Sequence, residues 1–156
     1  MNDYEKLGKL LKDIINGHDI SLEIKVLTSE DSIISRVINT TNLKEVNLLI
    51  DEKANLNEAS INEMDLQKII SNIVRNSIEA LDGKGLLMIK TYYSYNSIIL
   101  LIENNGPKIS SKIVDKIFER GFSTKKDNIG DNGFGLYIVK ELVNKYDGNI
   151  IVDSNN

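Results

Sequence analysis

Three groups of residues in this chain have types and spacings that could do chemistry. The first lies in "INEMDLQKIISNIVRNSIEAL" (residues 61–81). Wound as a helix at about 100° per residue, it brings Asn72, Asn76 and Glu79 into a sector of about 60°, beside an apolar stripe of Leu66, Ile69, Ile70, Ile73 and Leu81. Asparagine side chains compete for backbone hydrogen bonds, so two of them at i and i+4 in mid-helix carry a small cost. The plain reading is a solvated polar face. The second group is "IENNGPKI" (residues 102–109), an apolar run that stops in Asn-Asn-Gly-Pro and reads first as a turn. The third is "GFSTKKDNIGDNGFGLYIVKEL" (residues 121–142), where Gly121, Gly130, Gly133 and Gly135 precede an apolar, glycine-free run. Glycine loses much entropy on folding, so the stretch is either a connector or backbone shaped around something. Gly133 and Gly135 flank Phe134 just before a helix, whose first N–H groups could receive phosphate oxygens. Upstream, Ser123, Thr124 and Lys125 supply two hydroxyls and an ammonium. It is not a P-loop: the lysine precedes the glycines and no G-K-[ST] ends the run.

The elements that must position these groups alternate in type. "DYEKLGKLLKDIIN" (3–16) is a short amphipathic helix with Tyr4, Leu7, Leu11 and Ile14 on one face, and "ISLEIKVL" (20–27) fits a strand or a helix. "SEDSIISRVINTT" (29–41) opens with helix-starting residues, "EVNLLIDEK" (45–53) is strand-like, and the long helix of 61–81 stops before Gly83. "GLLMIKTYY" and "SIILLIENN", separated by "SYN", form a hairpin. "SSKIVDKIFER" (110–120) is a short helix capped by Ser110 or Ser111, residues 134–146 form another helix, and "NIIVDS" (149–154) is a last strand. The pattern alone predicts a mixed α/β domain with an antiparallel sheet and helices on one face.

Composition bounds the rest. The 156 residues are 41% hydrophobic and 27% charged, enough to fill a core. A net charge of −4 gives no general reason to expect nucleic acid. Without cysteine and with one histidine, disulfides and thiolate or His-rich metal sites are excluded. No apolar run approaches the roughly 18 residues of a membrane span, and no signal peptide opens the chain, so the expected setting is cytoplasmic.

The order of the blocks, an Asn pair on a helix, then strand–Asn-Asn-Gly, then "IFERGFSTK", then "GDNGFGL", resembles the ATP-binding domain of sensor histidine kinases, in the ATPase superfamily shared with gyrase, MutL and the heat-shock chaperones. The blocks correspond to its N box, first glycine box, phenylalanine box and second glycine box, over roughly residues 30–153. "NSIEAL" and "GFSTK" look most like the citrate- and dicarboxylate-sensor branch and related peptide-signal kinases. The resemblance implies an α+β fold, a two-layer sandwich with a mixed sheet covered on one face by about three helices, and ATP between the long helix and a mobile lid. It divides the chain into the end of a helical dimerisation region (1–28) and the ATP-binding domain (29–156). Residue by residue, it makes Asn76 the Mg²⁺ ligand and Asn72 a contact to the nucleotide or its phosphate-bound water. Glu79, Asn104, Gly106 and Ile109 join the nucleotide site, Ser123, Thr124 and Lys125 the lid and phosphates, and Gly133, Phe134, Gly135 and Leu136 the phosphate cradle. Phe118 and Phe122 either anchor the lid or simply pack.

The implied activity is transfer of the ATP γ-phosphoryl to a histidine on a dimerisation helix, with a response regulator as partner. The resemblance leaves room for a parent that is an integral membrane receptor, while this stretch itself is expected to touch no membrane. His18-Asp19 superficially fits an acceptor but follows Gly17 and lies after the helix, so the acceptor is expected outside this fragment. The chain stops at "VDSNN" where the family continues with a further turn and strand, so both ends are expected to be cut. Asn104 and Lys108 stand where the family usually has Asp and Gly, which touches adenine specificity and leaves a non-catalytic binding module as the alternative. Asn72 occupies the place of the glutamate that activates the nucleophile in hydrolase relatives, so hydrolysis should be slow.

Overall fold

The computed structural model describes residues 32–123 and 135–154. In order they form α1 (Ile33–Asn39), β1 (Glu45–Glu52), a short 3₁₀ turn (Leu56–Glu58), α2 (Glu63–Ala80), β2 (Lys84–Ser94), β3 (Ser97–Asn104) and α3 (Gly135–Lys145). The reading of 3–16 and 20–27, and the positions of His18, Thr124, Lys125, Gly133 and Phe134, lie outside the described residues.

The strands make one sheet in the order β1-β2-β3. β2 and β3 are antiparallel around a two-residue loop, with Leu87 opposite Asn104 and Ser94 opposite Ser97. β1 runs parallel to β2, Glu45 beside Lys84 and Glu52 beside Thr91. The pattern-based expectation of an antiparallel sheet is thus corrected to a mixed one, as the resemblance implied. The reason is the connection: α2 carries the chain back along the sheet, and a strand entered through such a crossover pairs in parallel.

α2 starts and stops for local reasons. Asn62 Oδ1 accepts from Met64 N–H at 2.9 Å and Asp65 N–H at 3.3 Å, capping the first turn. At the far end Asp82 N–H donates to Glu79 O (3.0 Å) and Gly83 N–H to Ile78 O (3.2 Å), with Asp82 in the left-handed region at φ 53°. This is a Schellman stop, so the residue that turns the chain is Asp82, one before the expected Gly83. α3 ends the same way: Asp147 N–H and Gly148 N–H reach back to Asn144 O and Val143 O.

The helices cover one face. Ile33, Ile34 and Val37 of α1, Leu66, Ile70, Val74 and Ile78 of α2, and Val46, Leu48, Ile50, Leu87 and Ile89 of the sheet form a single buried cluster. Ile70, Val74, Leu87 and Ile89 are fully buried. α3 packs along α2 and buries Val139. Its end is tied to the start of α2 by Asp65, whose Oδ2 accepts from Tyr146 Oη at 2.5 Å and Lys145 Nζ at 2.9 Å. The Tyr146 hydroxyl and the Lys145 ammonium hold the Asp65 carboxyl below its ordinary value, and Asp65 raises Lys145 above its own. Arg36 of α1 pairs with Glu63 at the same end of α2.

Two expected elements do not form. Residues 110–120 make a chain of turns, not a helix: Ser110 Oγ does accept from Lys112 N–H as a cap would, at 3.2 Å. The bonds then run mostly three residues back, as from Lys116 N–H to Ile113 O and Glu119 N–H to Lys116 O. Residues 149–154 alternate in burial like a strand, with Ile150, Val152 and Ser154 turned inward, but join no ladder. The main tie there is from Ile109 N–H to Ser154 Oγ at 2.6 Å.

Candidate functional site

The polar face of α2 carries a line of three positions one helical turn apart: Asn72, Asn76 and Ala80. At 1.5 Å per residue it is about 12 Å long. Each end of it is pressed by a glycine. At the first end, a Cβ on Gly135 would lie 3.2 Å from Asn72 Oδ1 and 3.6 Å from Arg75 Nη2. At the other, a Cβ on Gly106 would lie 3.1 Å from Ala80 O and 2.8 Å from Asn104 Oδ1. Backbone approaches this close admit no larger residue without movement, so the two glycines seat their backbones against the two ends of this line.

The asparagines differ in what they hold. Asn72 Nδ2 donates to Lys68 O at 2.8 Å and its Oδ1 accepts from Arg75 Nη2 at 2.8 Å, so both ends of its amide are engaged. Asn76, half-buried, makes no side-chain hydrogen bond among the described residues, leaving an amide oxygen directed by a rigid helix. Glu79 is exposed at the edge of this face.

The turn after β3 is built by its own asparagines. Asn104 Oδ1 accepts from Gly106 N–H at 2.9 Å. Asn105 Oδ1 accepts from Leu86 N–H at 2.8 Å, while its own N–H donates to Leu86 O. The plain-turn reading of "ENNGP" therefore holds, and the turn also seats Gly106 against the end of α2. A depression of about 500 Å³ lies there, lined by Ala80, Leu81, Gly85, Asn105 and Gly106 among others. Ile109 is half-buried just beyond.

On the opposite side, Leu136 is half-buried in the first turn of α3, and Lys140 Nζ stands 5.6 Å from the centre of the Phe118 ring. Phe118, Phe122 and Ser123 are all half-buried. The structure thus brings Asn72, Asn76, Gly135, Asn104 and Gly106 to one face. No cluster of three or more His, Cys, Asp or Glu side chains that could cage a metal exists among the described residues.

Residues 61–156 match the family model described as histidine kinase-, DNA gyrase B-, and HSP90-like ATPase. The chain belongs to this family. It is 38% identical over 89 residues to the sensor histidine kinase GlnK of Bacillus subtilis (strain 168), covering 55% of this chain and 22% of that protein. It is 36% identical over 92 residues to the sensor protein CitS of Halalkalibacterium halodurans, covering 56% of this chain and 17% of that protein. The chain therefore spans about a fifth of the length of these relatives. Its fold is similar to that of the catalytic domain of the histidine kinase ThkA, with a TM-score of 0.63 at 21% identity over 73% of this chain and 76% of that one.

Within this ATPase domain the residues fit a nucleotide with Mg²⁺. Glycines whose place a Cβ would crowd stand at both ends of the Asn72–Ala80 line, and half-buried Asn76 offers a neutral oxygen between them. A site with few protein ligands suits Mg²⁺, which keeps waters and takes much of its shell from phosphates. Arg75 and Asn105 were not singled out from sequence. The signal for Arg75 was its place three residues after Asn72, the spacing at which helix side chains meet. The signal for Asn105 was only that Asn104 has a second amide beside it.

Proposed function

We propose that the chain is the ATP-binding catalytic domain of a two-component sensor histidine kinase, which presents the γ-phosphoryl of ATP to a histidine on the parent's dimerisation helix. The observation that carries this is the line of Asn72, Asn76 and Ala80 on α2 with a crowded glycine at each end. Its length of about 12 Å suits a nucleoside triphosphate laid along α2. Phosphates take the Gly135 end, where the N–H groups opening α3 have no partners inside the helix. The base takes the Gly106 end, beside Asn104 and Ile109. The resemblance to the family assigns Ser123, Thr124, Lys125, Gly133, Phe134 and Leu136 to the phosphates. Asn76 Oδ1 would hold Mg²⁺, which supplies charge neutralisation across the phosphates.

Most of what the domain contributes is position. α2 would fix the nucleotide on a rigid element, with the backbone N–H groups opening α3 available to the developing negative charge. The position four residues before Asn76, where hydrolase relatives carry the activating glutamate, is Asn72, whose amide is no base and is engaged at both ends. The nucleophile is left to be the partner histidine, and the phosphorylated parent passes the group to a response regulator. No helix among the described residues is long and apolar enough to cross a membrane. Calorimetry with Mg·ATP tests the reading: saturable one-to-one binding is expected, and its absence would leave only a partner-binding module of this fold.

Base choice provides a second check. With Asn104 Oδ1 held by Gly106 N–H, the amide turns its NH₂ group outward. Asn104→Asp keeps the bond to Gly106 and replaces that donor by a charged acceptor. Hydrogen bonds to charged groups contribute about 1 kcal/mol more than neutral ones. ATP should bind about five-fold more tightly and GTP more weakly, measured by competition of both nucleotides on both proteins. An unchanged or narrower ratio removes Asn104 from the base.

A further inference from the structure

Arg75 stands beside the Asn72–Asn76 face, on the same flank as Glu79. Its Nη2 donates to Asn72 Oδ1 at 2.8 Å and lies 3.6 Å from where a Cβ on Gly135 would be. The side chain is exposed, and among the described residues no carboxylate pairs with it. A guanidinium has five N–H donors in a fixed fork, and Asn72 uses one. Asn72 is in turn fastened to Lys68 O, so the pair forms a brace from the α2 backbone to the guanidinium. That brace has no stabilising task visible in the core: it fixes a cation beside Gly135.

We propose that Arg75 is a phosphate-reading residue of the nucleotide site and that Asn72 is its positioning residue. This rests on the ATP-binding reading above and assigns Asn72 a task different from direct contact with the nucleotide. A planar fork suits phosphate oxygens better than a point charge does, because two parallel N–H groups can meet two oxygens. Its contribution should therefore grow with the number of phosphates and leave the base end untouched.

The test is calorimetric titration of ATP, ADP and AMP into the wild type, Arg75→Ala, Arg75→Lys and Asn72→Ala, each first shown to be folded by its thermal transition. For Arg75→Ala, the ATP dissociation constant should rise about ten- to hundredfold, the scale of a lost charge-assisted hydrogen bond, and AMP by less than about threefold. Arg75→Lys should recover part of the ATP loss. Asn72→Ala should give the same ordering, ATP affected most, at smaller amplitude. Equal losses for AMP and ATP, or no loss at all, overturn the proposal while leaving ATP binding intact. A wild type that binds none of the three overturns the nucleotide reading itself, and this inference with it.

Discussion

Asn76→Ala should yield a folded domain that has lost most of its affinity for Mg·ATP. The residue is half-buried on the polar face of α2 and its amide makes no hydrogen bond among the described residues. Removing it therefore strands no partner, and alanine is the better helix former, so the thermal transition should move by no more than a few degrees. Mg²⁺ demands near-octahedral geometry at about 2.0–2.1 Å and yields little when a ligand is withdrawn. We expect Mg·ATP affinity to fall by at least about a hundredfold, the scale of a lost interaction with a buried charge. ATP titrated with a chelator present should lose far less. A folded variant with wild-type Mg·ATP affinity would falsify the assignment of Asn76.

Ile70→Ala tests the platform instead of the ligand. Ile70 is fully buried in the cluster that joins α2 to the sheet. Truncating a buried isoleucine to alanine removes its transfer free energy and leaves a cavity, for about 2–5 kcal/mol. Domains of this class have roughly 5–15 kcal/mol in total, so a large share of the stability should go. Urea unfolding followed by circular dichroism measures it. In the first turn of the same helix Met64 is 69% exposed, and Met64→Ala should stay within about 0.5 kcal/mol. Equal losses at the two positions would mean that α2 does not pack as described.

How much of this was legible in the sequence depended on whether the signal was local. The face of α2 was, because apolar residues at helical period also fix where Asn72 and Asn76 point. Even there the stripe was slightly misdrawn: Val74 and Ile78 are buried and Ile73 only partly. The direction of β1 was not legible. Its alternating burial suits a half-covered strand of either orientation, and pairing is decided by the crossover through α2. In 110–120 the cap was visible, but eleven residues sit below the length at which a helix is stable without packing. Only Ile117 there is buried, which gives the segment little to hold an α-helical register. The alternation in 149–154 was real, yet a strand also needs a neighbour to pair with. Motif order singled out Asn72, Asn76, Asn104, Gly106 and Gly135, which the structure sets on one face, while the Arg75–Asn72 brace depended on side-chain directions that spacing alone left open.

The turn at Asn105-Gly106 has a consequence for chemical ageing. Asparagine followed by glycine is the dipeptide most prone to deamidation, in which the glycine nitrogen attacks the asparagine side-chain carbonyl, expels ammonia and closes a succinimide. Here Gly106 N–H is engaged by Asn104 Oδ1, and Asn105 Oδ1 by Leu86 N–H. The nucleophile and the carbonyl it must reach are tied to different partners, and the strand ladder ends at this same point. The bond is therefore protected only while the turn is closed, and damage accumulates in proportion to the time spent locally open. Hydrolysis of the succinimide would leave aspartate or isoaspartate at position 105, with a new negative charge and, in the iso form, a lengthened backbone beneath the proposed base pocket. Slow loss of nucleotide affinity on storage would then record the opening of one turn, with the chain still continuous and the rest of the fold unchanged.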